Sequence, residues 1–190
     1  THFYTASGID KNQLIKAAVL SSISDETPEG KSIIELGAID PRSLDYKQPT
    51  FIKFTAETRS SGVDYEGIRI RKGSTDAIRN LVIQAGNIFP EDIEEQVKII
   101  SQNGGTPLVV SQNEMVLGVI ELQDIIKTGI HERFERLRKM GIKTVMVTGD
   151  NPLTAKFIAE KAGVDDFIAE AKPEDKMNYI IKEQQEGRLV

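Results

Sequence analysis

Apolar residues recur at helical spacing near the start of the chain and predict two helices there. Asp10 can cap the first helix, which would end near Ser24, while Thr27 and Pro28 supply the N-cap and the first position of the second. The apolar positions of these two helices are Leu14, Ala17, Ala18, Ile23, Ile33, Ile34 and Leu36. Residues 39–48 follow as a polar loop that contains Pro41.

Alternating apolar residues next predict two strands, at residues 50–56 and 67–72. The polar residues 60–66 between them suit a hairpin connection. A hairpin centred near Val63 would place Phe54 roughly opposite Lys72, because cross-strand partners lie at equal distances from the turn.

Lys72 falls on the inward face of the second predicted strand, together with Ile68 and Ile70. A cation in that place needs an anionic partner or the mouth of a pocket. Alternatively, the chain leaves the strand at Gly73 and Lys72 points into solvent. The alternation of residues favours neither interpretation over the other.

Two more helices and a second hairpin complete this half of the chain. Ser74 can cap one helix, and Pro90 opens another that ends before Gly104. Residues 107–120 contain two short apolar runs across a turn, which predicts a hairpin. Residues 1 to about 121 are therefore expected to form a mainly antiparallel sheet flanked by helices.

Helices and strands alternate in the remainder of the chain, which predicts parallel βαβ units. The predicted helices and strands cover residues 130–140, 145–147, 152–162, 166–169 and 173–186. Residues 145–147 form a continuous apolar run and are interpreted as a buried parallel strand. Residues 187–190 look like the start of a further strand, and the chain is expected to be truncated there.

The loop after residues 145–147 carries candidate chemistry. Thr148, Gly149 and Asp150 follow the predicted strand, at the sheet edge where open α/β sheets place ligands. Asn151 opens the next helix, whose N-terminus favours an anion such as phosphate. A plain Gly-Asp turn is an equally good interpretation of these residues taken alone.

Composition excludes several classes of function. The chain has no cysteine, which rules out disulfides and a cysteine nucleophile, and His2 and His131 are too far apart in sequence to form a ligand-spaced pair. The net charge is −5 and the chain has no long run of Lys or Arg, so its charge pattern does not indicate nucleic-acid binding. No apolar run reaches the roughly 20 residues of a membrane helix. The chain is thus expected to be soluble and cytoplasmic in character.

Four segments, in a consistent order, resemble motifs of the P-type ATPases. Lys72-Gly73-Ser74 resembles the Lys-Gly-Ser/Ala nucleotide motif, and residues 148–151 resemble the Thr-Gly-Asp loop of the phosphorylation domain. Lys176, in Ala-Lys-Pro-Glu-Asp-Lys, matches the phosphate-facing lysine of the family. Residues 124–127 stand in the place of the Asp-Pro-Pro-Arg hinge, although both prolines are replaced here.

Within the family, the chain is similar to the potassium-transporting Kdp branch over essentially its whole length. The similar segments are residues 25–30, 54–59, 71–77 and 132–143. This resemblance implies an α+β nucleotide-binding domain at residues 1–126, with an antiparallel sheet flanked by helices. Residues 127–190 would form part of a phosphorylation domain, an incomplete Rossmann-like α/β segment of the haloacid-dehalogenase type.

The resemblance also implies roles for individual residues. Phe54 would stack on adenine, Lys72 would line the pocket, and Gly73 would allow close approach. The implied ATP-binding set is Asp25, Glu29, Phe54, Thr55, Ser61, Lys72 and Gly73, and the implied phosphoryl-site support is Thr148, Gly149, Asp150 and Lys176. The competing interpretations are helix capping for Asp25 and Glu29 and plain core packing for Phe54.

Two motifs of the family are missing from this sequence. One is the Asp-Lys-Thr-Gly-Thr motif, which holds the nucleophilic aspartate, and the other is Gly-Asp-Gly-x-Asn-Asp, whose aspartates help to hold Mg²⁺. The chain alone is expected to bind ATP weakly, because one aromatic stack of about 1–3 kcal/mol and one charge contact of about 1 kcal/mol reach about 4 kcal/mol, a dissociation constant on the order of millimolar. It is expected to bind ATP without a strict need for Mg²⁺, to hold no metal of its own, and not to hydrolyse ATP.

In the complete enzyme, the resemblance implies transfer of the γ-phosphoryl group of ATP to the missing aspartate with the help of Mg²⁺. The cycle would be coupled to potassium uptake by other Kdp subunits in the membrane, so this chain would be a cytoplasmic part of a plasma-membrane protein. Residues 127–190 are expected to be poorly ordered, swapped or paired between chains, because a parallel sheet without its first strand exposes an edge.

Two other functions are compatible with parts of the sequence. A regulatory module would use the same residues to sense a nucleotide without chemistry. A free-standing phosphatase of the haloacid-dehalogenase kind would share the Thr-Gly-Asp loop, but it needs an Asp-x-Asp or similar nucleophile strand, which this sequence lacks.

Overall fold

The computed structural model describes residues 2–40, 46–123 and 129–190. It divides into two compact units: the first comprises residues 1–100 and 107–123, and the second comprises residues 101–106 and 124–190. The predicted hinge at residues 124–127 lies outside the described residues, as does the part of the predicted polar loop around Pro41. No helix in the described ranges is both long enough and apolar enough to cross a membrane.

The first unit contains a sheet with helices on both faces. The elements are β1 (His2–Thr5), α1 (Lys11–Ser22), α2 (Pro28–Gly37), β2 (Thr50–Ile52), β3 (Ser60–Tyr65), β4 (Ile68–Ser74), α3 (Thr75–Gln84), α4 (Glu91–Gln102), β5 (Gly105–Gln112) and β6 (Met115–Gln123). The last two residues of α4 and the first two of β5 belong to the second unit. Over the described residues the sheet has six strands in the order β1-β6-β5-β4-β3-β2. The pairs β1–β6, β2–β3, β3–β4 and β4–β5 are antiparallel. The predicted helix-flanked antiparallel sheet is confirmed.

Neighbouring residues of the strands pack into two different cores, one on each face of the sheet. Val110 and Ile120 belong to the core under α1 and α2, whereas Val109 and Val119 belong to the core under α3 and α4. This division follows from the strand geometry, since successive side chains point to opposite faces. Strand β1 was not predicted from sequence, and it forms because its backbone pairs with β6 along the edge of the sheet.

The local sequence signals for helix starts are confirmed. The side chain of Asp10 accepts hydrogen bonds from the first turn of α1, that of Thr27 from Gly30 N, and that of Ser74 from Ala77 N. Each cap satisfies backbone N–H groups that have no partner within the helix.

The predicted hairpin around Val63 is wrong. Residues 60–65 are a strand, β3, that lies between β2 and β4, so Lys72 is opposite Ser61 and Val63 is opposite Phe51. Strand β2 ends at Ile52, and Phe54 therefore lies outside the sheet.

The turn between β3 and β4 explains this difference. It consists of Glu66 and Gly67, which both have positive φ angles, 46° and 78°. Two central residues with positive φ give the tight turn that fits the twist of adjacent strands. The turn lies three residues after the position assumed from sequence, and the polar residues that precede it pair as a strand.

The second unit alternates helices and strands, as predicted. Its elements are α5 (Ile130–Lys139), β7 (Val145–Val147), α6 (Pro152–Ala162), β8 (Asp166–Ile168) and α7 (Pro173–Gln185). Strands β7 and β8 are parallel, with Val145 opposite Asp166 and Val147 opposite Ile168. The prediction of a parallel βαβ unit is confirmed.

Two details of the second unit differ from the predictions. Strand β7 is only half-buried rather than buried, because β8 is its single neighbour in the described sheet. Residues 187–190 form no strand. Gly187, with φ +81°, instead ends helix α7, and Arg188 N donates back to Glu183 O. A glycine in the left-handed conformation is a common way to end a helix.

Asp165 joins the start of β7 to the end of α5. Its carboxylate accepts hydrogen bonds from Thr144 N at 2.7 Å, Thr144 Oγ1 at 2.9 Å and Arg138 Nε at 2.6 Å. The hydrogen bond from the Thr144 backbone, followed by that from Arg138, lowers the pKa of Asp165 from 3.8 to about 2. The ionised form is therefore the one that the folded state favours.

We expect the stability of the second unit to depend on the charge of Asp165. A carboxyl whose pKa is lower in the folded state stabilises the fold fully above its unfolded pKa, and this stabilisation disappears as the pH falls from about 4 to about 2. NMR titration of the carboxyl carbon should give a midpoint near the lower value. In Asp165→Asn this part of the pH dependence should be absent. A midpoint close to 3.8 in the native protein would contradict the role assigned to these hydrogen bonds.

Candidate functional site

Lys72 lies on β4 and is almost completely buried, with 2% of its surface exposed. Its Nζ donates to Asp25 Oδ2 at 2.7 Å and to Ser22 Oγ at 2.9 Å. The strand alternation directs this side chain into the core under α1 and α2, where Ser22 ends α1 and Asp25 lies between the two helices. The sequence left two orientations open, and the inward one, with an anionic partner, is observed.

The carboxylate of Asp25 is held by groups from both sides. Its Oδ1 accepts from Thr27 Oγ1 at 2.7 Å and from Thr27 N at 3.2 Å. Its Oδ2 accepts from Lys72, and Ser61 Oγ on β3 lies 3.4 Å away. Ser61 Oγ also donates to the carbonyl oxygen of Ser21 at 3.0 Å. Three of the residues predicted for the nucleotide set, Asp25, Ser61 and Lys72, are thus in direct contact.

The opposite charges of Asp25 and Lys72 stabilise each other and offset the cost of removing both groups from water. Burial by itself raises the pKa of the Asp25 carboxyl, but the hydrogen bonds from Lys72 and Thr27 outweigh it, and the resulting pKa lies below 3.8. Burial lowers the pKa of Lys72 from 10.5, while Asp25 and then Glu29 act in the opposite direction. We describe the pair as Lys⁺ with Asp⁻ near neutral pH, since a buried charge is tolerated when it is paired and hydrogen-bonded.

Glu29 and Gly73 border this cluster. Glu29 lies in the first turn of α2, close enough to Lys72 to favour its charged form. A Cβ on Gly73 would collide with the carbonyl oxygen of Arg59 and lie 2.8 Å from Ser60 Cβ. The backbone that approaches Gly73 closely is therefore the protein's own, at Arg59 and Ser60.

Phe54 and Thr55 lie on the segment between β2 and β3. Phe54 is 41% exposed, so it is not a core residue, which had been the competing interpretation. Thr55 Oγ1 lies 2.8 Å from Thr58 Oγ1 and accepts from Thr58 N, which folds this segment into a turn. An exposed aromatic ring next to an ordered turn offers a free face for stacking.

The Phe54 segment runs beside the loop that carries Asp25. Ser24 Oγ donates to Ile52 O at 3.2 Å, and Lys53 Nζ lies 3.9 Å from Glu26 Oε1. The α1–α2 connection, which supplies the Asp25 cluster, therefore contacts both residues that precede Phe54.

The sequence missed two groups that hold this cluster. Ser22 accepts a hydrogen bond from Lys72, and Thr27 donates two to Asp25. Thr27 had been identified only as a helix cap. The signal that was available is Lys72 itself, because a lysine in an inward register requires buried polar partners.

The Thr148 loop in the second unit is ordered by its own hydrogen bonds. Thr148 Oγ1 donates to Asp150 Oδ2 at 2.8 Å and accepts from Asp150 N at 3.2 Å. Asn151 caps α6 by accepting from Leu153 N and Thr154 N. Thr148 and Asp150 are thus brought together at the C-terminal end of β7, as predicted, and the exposed Gly149 lies between them.

Lys176 lies in the first turn of α7 and is exposed. The loop before α7 is tied to the Thr148 loop, since Ala171 N donates to Thr148 O at 2.9 Å and Glu170 N to Asp150 O at 2.8 Å. Within the described ranges no hydrogen bond or ion pair joins Lys176 to Asp150. The loop before α7 therefore contacts the Thr148 loop, but the side chains of Lys176 and Asp150 do not contact each other.

Comparison with protein families identifies the chain. The family of haloacid dehalogenase-like hydrolases matches residues 4–188, which is nearly the whole sequence. The chain belongs to the haloacid dehalogenase-like hydrolases.

Curated relatives of this haloacid dehalogenase-like chain are potassium-transporting ATPase ATP-binding subunits. The chain is 51% identical to the subunit of Clostridium perfringens over 194 aligned residues. This alignment covers 100% of this chain and 28% of that protein. It is 52% identical over 194 residues to the subunit of Erwinia tasmaniensis, with the same coverage of 100% and 28%. The chain thus spans 28% of the length of these relatives. The resemblance to the potassium-transporting branch of the P-type ATPases is confirmed.

Solved structures support the fold of this family member. A zinc-transporting PIB-type ATPase in the E2.Pi state gives a TM-score of 0.56 at 23% identity, covering 98% of this chain and 28% of that one. The catalytic CPx-ATPase domain CopB-B gives a TM-score of 0.60 at 14% identity, covering 99% of this chain and 60% of that one. The predicted α+β fold class is confirmed.

Proposed function

We propose that the first unit binds ATP, with the adenine ring stacked on Phe54 beside the Asp25–Ser61–Lys72 cluster. The observation that carries this proposal is the convergence of Asp25, Ser61 and Lys72, which are distant in sequence, next to the segment of an exposed aromatic residue. Similarity to ATP-binding subunits over the full chain supports it. Thr55, Glu29 and Gly73 complete the proposed set as neighbours that shape the pocket.

The second unit would contribute to a phosphoryl site. Thr148, Gly149 and Asp150 present hydroxyl, backbone and carboxylate groups at the end of β7, next to the N-terminus of α6. Lys176 is an exposed, positively charged side chain on the first turn of the following helix, α7. This arrangement suits the binding of a transferred phosphoryl group, whose charge a lysine compensates in a loose transition state.

The whole protein would be a P-type ATPase that couples ATP hydrolysis, through an aspartyl phosphate, to potassium uptake. Its partners would be the other Kdp subunits in the membrane, and this chain would lie on the cytoplasmic side of the plasma membrane. The described residues contain no group of three His, Asp or Glu side chains able to hold a metal ion. Mg²⁺, which the family implies, would be held in the complete protein with the help of the Gly-Asp-Gly-x-Asn-Asp motif, which this sequence lacks. That these 190 residues do not hydrolyse ATP by themselves stays a prediction.

Phe54→Ala should remove most of the ATP affinity without loss of stability. Stacking of a base on an aromatic side chain contributes about 1–3 kcal/mol, and one partly solvated charge contact about 1 kcal/mol. Together these give about 2–4 kcal/mol, which corresponds to a dissociation constant between about 1 and about 30 mM. Loss of the stack should weaken binding at least about fivefold, whereas stability should change little because the ring is 41% exposed.

The test is an ATP titration followed by backbone amide NMR shifts. In the native chain the shifts should cluster at residues 54–61 and at Lys72, and they should saturate in the millimolar range. Ile88→Ala is the matched control, since it truncates a side chain that is 88% exposed elsewhere in the first unit. Shifts confined to Asp150 and Lys176 would reject the pocket in favour of a phosphate site, and a submicromolar constant would contradict the proposed energetics.

A further inference from the structure

We propose that the first unit carries a second ligand site, a cavity between α1 and the β3–β4 hairpin that binds a small aromatic carboxylate. The cavity has a volume of about 220 Å³. Among the described residues that line it, none belongs to the proposed ATP-binding set. The lining residues of α1 lie between positions 13 and 20, whereas Ser22, at the end of the helix, contacts Lys72. The site therefore goes beyond the proposed function and does not depend on it.

The floor of the cavity is apolar and is built by a helix and a strand. Ala17 and Leu20 lie one turn apart on the same face of α1, and Ile70 lies on β4. All three side chains are buried. An apolar cavity of about 150 Å³ takes up a benzene molecule, so the volume here has room for one benzene ring and a substituent. The apolar floor favours burial of such a ring.

Tyr65, at the end of β3, forms a wall of the cavity and favours an aromatic ligand. The side chain is half-buried, and its ring centroid lies 6.1 Å from that of Tyr46, which in turn lies 6.4 Å from that of Phe51. A ring in the cavity would extend this row of aromatic side chains, since tilted or offset aromatic pairs are favourable. Burial, followed by the charge of Glu66, raises the pKa of Tyr65 from 10.0. Its phenol is thus a hydrogen-bond donor near neutral pH.

The polar groups around the cavity select an anion. Lys16 on α1 is exposed, and it is the only charged side chain among the described residues that line the cavity. Within the described part of the chain, neither its ammonium group nor the hydroxyl group of Tyr65 has a hydrogen-bond or ion-pair partner. The amide side chains of Gln13 and Gln112 also line the cavity. A carboxylate can therefore accept from Lys16 while the attached ring lies on the apolar floor.

The test is a titration of the full chain with benzoate, followed by amide NMR shifts. Benzamide serves as the uncharged analogue and acetate as the carboxylate without a ring. The benzoate shifts should cluster at residues 13–20 and 65–70 and should saturate with a dissociation constant on the order of millimolar. Acetate at the same concentrations should leave these residues undisturbed, because it cannot fill the apolar part of the cavity.

Two substitutions separate the charge contact from the burial of the ring. Lys16→Met should weaken benzoate binding at least about threefold and benzamide binding less than about 1.5-fold. Lys11→Met is the matched control, since Lys11 is an exposed lysine of the same helix that does not line the cavity, and it should change benzoate binding less than about 1.5-fold. Ala17→Leu should block both ligands, because the larger side chain fills the cavity.

Each result decides the proposal. It is overturned if benzoate shifts do not saturate, if they cluster at Phe54 and Lys72 instead, or if acetate reproduces them. Equal losses of benzoate and benzamide binding in Lys16→Met, an equally large effect of Lys11→Met, or native-like binding by a folded Ala17→Leu overturn it as well. If Ala17→Leu does not fold, the comparison of Lys16→Met with Lys11→Met decides. Failure of the proposed function looks different, because ATP would then leave residues 54–61 undisturbed whatever benzoate does.

Discussion

Lys72→Met is expected to lower the free energy of unfolding of the first unit by about 3–5 kcal/mol. The substitution leaves Asp25, which is 5% exposed, as a buried carboxylate without its cation, and it removes a hydrogen bond to Ser22. Breaking a buried ion pair on one side is much more costly than an average surface substitution, because the remaining charge has lost its solvation. Urea unfolding followed on amide resonances of β3 and β4 measures the effect for this unit alone.

The double variant Asp25→Asn with Lys72→Met should recover most of this loss. Replacement of both charges removes the uncompensated carboxylate, and the Asn side chain can still accept hydrogen bonds from Thr27. Lys53→Met, at a site that is 75% exposed, should change the free energy of unfolding by less than about 0.5 kcal/mol. Native-like stability of Lys72→Met would contradict the assignment of a buried ion pair.

Leu14→Ala is expected to destabilise the first unit by about 2–5 kcal/mol. Leu14 is completely buried between α1 and the sheet, next to Gly118 of β6, where a Cβ would approach Leu14 Cδ2 to 2.6 Å. Truncation removes apolar surface from the core under α1 and α2 and leaves a cavity that the sheet cannot close by a small shift. The same urea experiment on the β6 and α1 resonances gives the change.

Leu36→Ala is the matched control for this core prediction. Leu36 lies on α2 and is 38% exposed, so its truncation should cost less than about 1 kcal/mol. An equal cost for the two truncations would mean that α1 does not pack on the sheet as described.

Predictions that rest on neighbours in sequence agreed well with the structure. Asp10, Thr27 and Ser74 cap helices where expected, and residues 152–162 form a helix with the predicted bounds. Such signals need only one turn of backbone and the side chain that completes its hydrogen bonds, so the sequence within a few residues carries them.

Predictions that depend on which strands are neighbours agreed less well. The polar residues 60–65 pair on both sides and form β3, because Glu66 and Gly67 make the tight turn with positive φ. Ser60 and Ser61 are buried in this strand although their composition is typical of a loop. A polar residue is accepted inside when the tertiary structure supplies a partner, and that partner is remote in sequence.

For the candidate site, the sequence by itself supplied candidate residues and the resemblance to the P-type ATPases. It offered the inward face of a strand as one of two positions for Lys72, since the period of two is a local property of the chain. Only the tertiary structure decided that the anion facing Lys72 is Asp25, 47 residues earlier in the chain, and that Ser22 and Thr27 complete the cluster. The physical reason is that a buried charge must be matched by whatever groups the packing of α1 on β4 brings within about 3 Å, and sequence spacing does not encode that packing.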